Sequence, residues 1–205
     1  MFITFEGLDF CGKSTQVKLL KQYLIDLGQK VELIREPGGT TISEKIRKIL
    51  LDRENSKMTI EAELLLFSAS RAQLVREIII PLLKENYYVI SDRFHDSSIA
   101  YQGFGRGIDV HKVKEIQEFA IDGAIPEITF FIDIPIEEVK SRREKFEPES
   151  WDRIEVSLDD FYERVRAGYI SLSHNNKRFI LLDGLKSIEQ IHDEVVKAIE
   201  SYNRL

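Results

Sequence analysis

The chain has one cysteine, Cys11, in 205 residues, so no intramolecular disulfide can staple it. It has no apolar run long enough to span a bilayer, and its opening residues, Met1 to Phe10, carry neither a charged lead nor a small-residue cleavage site. A cytoplasmic protein with no membrane partner is therefore expected. An excess of positive charge is missing too: 29 Lys and Arg face 35 Asp and Glu, a net charge of −6, which excludes a broad basic surface tracking a nucleic-acid backbone. Local basic clusters then serve small anions. The four histidines, His95, His111, His174 and His192, lack metal-ligand spacing, and repeats, low-complexity tracts and linkers are absent. One domain over residues 1–205 is the organisation these absences leave.

What is present is a globular composition, 43% hydrophobic and 31% charged, rather than a disordered one. Short apolar runs alternate with longer amphipathic ones, the pattern of βαβ units around a buried parallel sheet. Strands are predicted at Phe2–Glu6, Val31–Arg35, Tyr88–Asp92, Ile128–Asp133 and Arg178–Asp183. Helices are predicted at Ser14–Leu27, Ile42–Leu51, Ile60–Glu85, Val110–Ile121, Ile136–Lys145, Leu158–Asn175 and Ile188–Tyr202. Thr41 with Glu44 and Ser157 with Asp160 fit the capping box, Pro135 suits a first helical turn, and Gly28 suits a helix end.

Gly7-Leu8-Asp9-Phe10-Cys11-Gly12-Lys13-Ser14 fits the phosphate-loop pattern G-x-x-x-x-G-K-[ST], between a predicted strand and a predicted helix, which is the context the motif requires. Glycines let the backbone curl with its N–H groups inward, and the helix adds its positive end, so the loop cradles phosphates. Gly7, Leu8, Asp9, Phe10, Cys11, Gly12, Lys13, Ser14 and Thr15 are the candidate ATP contacts. Lys13 would neutralise the β and γ phosphates and Ser14 would ligate Mg²⁺. The fold class is then α/β, a three-layer fold of the P-loop NTPase type, with a five-stranded parallel sheet, helices on both faces and a short lid. The nearest approach to a guanine-reading motif, Asn176-Lys177-Arg178-Phe179, lacks the acidic residue, which counts against a GTPase.

Three further blocks are richer in polar and charged residues than filler would be. They are Arg35-Glu36-Pro37-Gly38-Gly39-Thr40, Leu66-Phe67-Ser68-Ala69-Ser70-Arg71, and the run from Ser91-Asp92-Arg93 through Ser97-Ser98 to Tyr101-Gln102-Gly103. With the phosphate loop, they resemble the thymidylate kinase family, and the likeness runs on through Asp152-Arg153-Ile154-Glu155 and Phe161-Tyr162-Glu163-Arg164-Val165-Arg166. The resemblance covers nearly the whole chain. It implies transfer of the ATP γ-phosphate to dTMP, with Mg²⁺, in a homodimer.

The same resemblance assigns roles. Arg93 clamps the acceptor phosphate as a bidentate donor at the carboxyl edge of the sheet, with Arg47 as a second clamp. Asp92 faces Mg²⁺ through water, and Asp9 faces the sugar 3′-hydroxyl. Glu36 and Pro37 shape the loop beside the acceptor. Phe67 and Arg71, four apart on one helical face, stack on the thymine and reach its rim. From the residues alone Phe67 reads as core, and Arg71 could equally belong to a solvated face. Ser97, Ser98 and Gln102 address the base edge and Tyr101 crowds the sugar 2′ position, where capping and packing are the plainer alternatives.

Phosphoryl transfer also needs cationic help beyond Lys13. Some family members carry an arginine where this chain has Phe10, so the charge is expected from a lid at about 142–153, from Arg153 first and Arg143 second. Phe146 and Trp151 make that lid unusually aromatic. Two other readings stay open on the sequence: a kinase for another nucleoside monophosphate, and an ATP-binding regulatory module without an acceptor.

Overall fold

A computed structural model describes residues 1–145, 152–154 and 159–203. Among them five strands form one parallel sheet: β1 (Phe2–Glu6), β2 (Val31–Arg35), β3 (Tyr88–Asp92), β4 (Ile128–Asp133) and β5 (Phe179–Asp183), in the order β2-β3-β1-β4-β5. β1 lies at the centre, every residue of it is buried, and it is rich in the aromatic and β-branched side chains that suit a strand covered on both faces. The register sets Phe5 beside Asp92, and Arg35 beside the same Asp92, so three strands end level with one another. Their carboxyl ends open into a common crevice, the usual ligand edge of such sheets.

Helix α1 (Lys13–Asp26) follows the phosphate loop and ends as Gly28 suggests: at φ 74° its N–H reaches Ile25 O at 2.8 Å, and Gln29 N reaches Leu24 O at 3.0 Å. α2 (Thr41–Leu51) is capped one residue earlier than expected. Thr40 Oγ1 accepts from Ser43 N at 3.1 Å, because Glu44 turns back to accept from Gly39 N at 2.8 Å and to pair with Arg35.

The predicted helix Ile60–Glu85 is interrupted. α3 (Ile60–Leu74) runs into a widened π turn over Val75–Ile79 before α4 (Ile80–Lys84) resumes. Pro81, at the start of α4, has no N–H to give and would press on the preceding turn, and the wider turn relieves it. Between β3 and α6 (Val110–Ile121) lies a helix the sequence reading did not assign, α5 (His95–Ser98), continued by a π segment over Ile99–Gly105. α7 (Ile136–Arg143) stops two residues before the predicted Lys145, while α8 (Asp159–Asn175) and α9 (Ile188–Asn203) complete the layers. The core gathers Ile3, Phe5, Leu20, Phe130, Ile132 and Val195 between sheet and helices. Phe146 and Trp151 of the expected lid, Glu155, the Ser157 capping box and Leu158 lie outside the described residues. Among those described, no helix is long and apolar enough to cross a membrane.

Candidate active site

A cavity of about 700 Å³ opens at the carboxyl ends of β1, β2 and β3. Its floor is the phosphate loop. Gly7, at φ 141°, passes so close to β4 that a Cβ there would sit 2.5 Å from Ile132 O, so only glycine fits. Gly12 is left-handed at φ 100°, and so is Phe10 at φ 64°, a conformation that costs a non-glycine residue some strain. Lys13 is buried, and its Nζ donates to Gly7 O at 3.1 Å and Leu8 O at 2.7 Å, with Cys11 Sγ at 3.6 Å. Asp9, Phe10, Gly12, Ser14 and Thr15 line the cavity with it, whereas Leu8 and Cys11 turn into the core. Ser14 Oγ donates to Asp92 Oδ2 at 2.7 Å, so a hydroxyl and a carboxylate stand together where the loop meets β3.

Arg93, immediately after β3, is the hub of the opposite wall. Its Nη1 donates to Gly7 O at 2.8 Å, and its Nη2 donates to Asp9 Oδ1 at 2.5 Å and to Tyr101 OH at 3.1 Å. Tyr101 OH in turn donates to Asp9 Oδ2 at 3.2 Å, and the guanidinium lies 5.0 Å from the Tyr101 ring centre. Burial alone would raise the Asp9 carboxyl, but Arg93 and Lys13 prevail and hold it below its ordinary value. A half-buried cation, held by fixed acceptors on both of its Nη nitrogens, therefore lines the cavity in a set orientation. Arg47, from α2, lines the same cavity and donates to Pro37 O at 2.8 Å.

Deeper in, Phe67 on α3 is half-buried against the core and also lines the cavity, which joins the two readings left open for it. Arg71 is fully buried and reaches much further into the protein than a solvated face would. Its Nε donates to Glu36 Oε2 at 2.7 Å, Nη1 to Ser98 Oγ at 2.9 Å and to Gln117 Oε1, and Nη2 to Phe94 O at 3.1 Å. Burial keeps Glu36 above its ordinary value in spite of Arg71. Ser97, Ser98 and Gln102 all line the cavity, each with a protein partner: Ser97 with Glu6, Ser98 with Arg71, and Gln102 with Glu63 at 3.0 Å. These cavity-lining groups are thereby held in fixed orientations by a second set of side chains.

The cations expected from the lid are distributed differently from the sequence reading. The Arg153 side chain turns out of the cavity that its neighbours Asp152 and Ile154 line: Nη2 is 2.7 Å from Glu63 Oε2, Nε donates to Leu50 O at 2.8 Å, and its backbone N reaches Leu51 O at 3.1 Å. Arg143 does not line the cavity either. Arg142 does, with Lys145, and its Nη1 donates to Phe10 O at 3.2 Å while Nε pairs with Glu138 at 2.6 Å. Both arginines were in the sequence segment. Only tertiary partners tell them apart.

Sequence reasoning also missed Glu6, Tyr169 and Glu63, three buried groups that hold the site residues in place. Glu6 carried no signal of its own, since all five strands end on a charged residue. Tyr169 and Glu63 sit inside helices and carried none either.

The thymidylate kinase profile matches residues 5–195 of the chain. A thymidylate kinase of Kosmotoga olearia is 50% identical over 199 residues, covering 96% of this chain and 94% of that protein. One from Thermosipho africanus is 49% identical over 202 residues, covering 98% of each. The crystal structure of thymidylate kinase from Ehrlichia chaffeensis superposes with a TM-score of 0.79 at 37% identity, covering 98% of both chains. Matches of this length and identity, on a fold that sets a phosphate loop and the two arginines Arg47 and Arg93 around one cavity, place the chain in the thymidylate kinase family, as an ATP-dependent nucleoside-monophosphate kinase.

Proposed function

We propose that this enzyme transfers the γ-phosphoryl group of ATP to dTMP, giving dTDP and ADP, and that residues 1–205 act as one domain in a cytoplasmic homodimer. One observation carries the reading. The Gly7 carbonyl accepts from Lys13 at 3.1 Å and from Arg93 at 2.8 Å, so the donor-side and acceptor-side cations, both lining one cavity, meet on a single atom. A module that only switches shape on ATP needs no second anion clamp there.

Little covalent work falls to the protein, because the nucleophile is an oxygen of the acceptor phosphate and needs no strong base. Lys13 exchanges its carbonyl partners for the transferring phosphates. Arg93 and Arg47 hold the acceptor phosphate, and Asp9, fixed by Arg93 and Tyr101, is left as an acceptor toward the sugar 3′-hydroxyl. Phe67 stacks on the base, while Arg71 braces Glu36 and Ser98 around it. Tyr101, tethered through its hydroxyl, crowds the 2′ position.

The Ser14 hydroxyl and Asp92 carboxylate, 2.7 Å apart, suit Mg²⁺, a hard cation commonly bound through one or two protein oxygens together with substrate phosphates and water. Bound there, the ion would supply charge neutralisation on the β and γ oxygens. Ile42 and Ile49 on α2, Leu65 on α3 and Phe119 on α6 are exposed, with α2 packed on α3 and α3 on α6, and a homodimer would give this apolar set a surface to bury against.

Coupled ADP release tests the assignment with dTMP, dUMP, dCMP, dGMP, UMP, AMP and the ribonucleotide of thymine side by side. The expected result is a kcat/KM for dTMP at least about tenfold above every other acceptor. Equal turnover of the ribo and deoxy thymine nucleotides would remove the role given to Tyr101, and a preference for another base would overturn the dTMP assignment.

A further inference from the structure

β1 ends on a carboxylate for which the phosphoryl transfer has no use. Glu6 is fully buried beside the first glycine of the phosphate loop, on the face that strand alternation gives to Phe2 and Thr4. Its Oε1 accepts from Phe94 N at 2.8 Å, and its Oε2 accepts from Ser97 Oγ at 2.6 Å and Tyr169 OH at 2.8 Å. All three donors bear on Arg93. The Phe94 N–H belongs to the peptide after Arg93, whose φ of 69° lies in the left-handed region that a side chain occupies only under constraint. Ser97 Oγ and Tyr169 OH also accept from Arg93 Nη1, at 3.4 Å and 3.3 Å.

A buried carboxylate is costly to desolvate, and this one is pushed up to about 7, first by burial and then by Asp96 of α5, against the pull of Ser97, Arg93 and Tyr169 of α8. Packing alone would be served at least as well by an apolar residue. A carboxylate offers what an apolar side chain cannot, two acceptor oxygens for three donors on two different elements.

We propose that Glu6 is a positioning residue for the acceptor: it fixes the left-handed backbone of Arg93 from below and its guanidinium, through Ser97 and Tyr169, from the side. The clamp is then set before the phosphate arrives, and the ordering cost is not charged to binding. This rests on Arg93 being the acceptor-phosphate clamp.

The test is steady-state kinetics of the full chain with dTMP and ATP varied separately, beside thermal unfolding. Wild type saturating with dTMP establishes that dTMP is the acceptor, and its failure to do so would sink the proposed function before it touches this inference. Glu6→Gln keeps the volume but offers one acceptor oxygen, so the KM for dTMP should rise about tenfold with kcat and the KM for ATP within about twofold. Tyr169→Phe removes one donor from Glu6 and one acceptor from Arg93, and should raise the same KM about threefold. Combined, the two should fall short of the product of their separate effects, since they share one path to Arg93. If Glu6→Gln does not fold, Tyr169→Phe carries the test by the same split. An unchanged KM for dTMP, or a parallel rise in both KM values with a fall in Tm, would overturn the proposal in favour of a purely structural carboxylate.

Discussion

Arg142 and Arg153 compete for the charge that Phe10, in the phosphate loop, cannot supply. Arg142 stands over the loop with a hydrogen bond to Phe10 O at 3.2 Å and another to Gly184 O at 2.9 Å. Arg153 would have to give up Glu63 and the Leu50 carbonyl to reach the same place. Glu63 is itself held below its ordinary value, where burial is outweighed by Arg106, Gln102 and Arg153. Breaking a buried pair of this kind is expensive, and the geometry favours the arginine already at the cavity. Arg142→Ala should therefore lower kcat about 10³-fold with a far smaller rise in either KM, while Arg153→Ala keeps kcat within about tenfold. The reverse pattern in the same assay would return the role to Arg153. At this scale the sequence was legible where a residue's neighbours along the chain define it, as with Lys13 and Ser14. It was not where partners lie far off: the reach of Arg153 to Glu63, or of Arg71 to Gln117, has no local signature.

Among the elements, the π segment Ile99–Gly105 shows how packing decides what propensity leaves open. It carries Tyr101 and Gln102 and lies directly against α8, and two glycines allow the approach. A Cβ on Gly105 would meet Phe161 at 2.6 Å and Val165 at 2.7 Å, and one on Gly168 would meet Phe104 at 2.8 Å. Gly105→Ala should cost about 1–3 kcal/mol through overpacking and should also raise the KM for dTMP, because Tyr101 and Gln102 ride on the displaced segment. Chemical denaturation with parallel kinetics checks this, and a variant with wild-type stability and KM would show that the two surfaces are not locked together. The segment was illegible in advance because its residues neither repeat at helical spacing nor alternate. The break at Val75–Ile79 was half legible: Pro81 was in view within a helical pattern, but the pattern on either side of it was strong enough to be read through.

For the molecule as a whole, the βαβ pattern and the phosphate loop were enough to place the strands, four of them with the bounds later observed and the fifth one residue longer at its start. Parallel strands buried on both faces are continuous apolar runs, and such runs are the most readable feature of this chain. The order β2-β3-β1-β4-β5 was not readable, yet it makes the site, since it brings the ends of β1, β2 and β3 level around one crevice. The central claim is that this crevice joins two nucleotides and moves one phosphoryl group between them. Phosphorus NMR of the enzyme with ATP, dTMP and Mg²⁺ follows every product at once. The account predicts ADP and dTDP growing in equal amounts with no inorganic phosphate beyond background; inorganic phosphate accumulating while dTMP stays unchanged would contradict it.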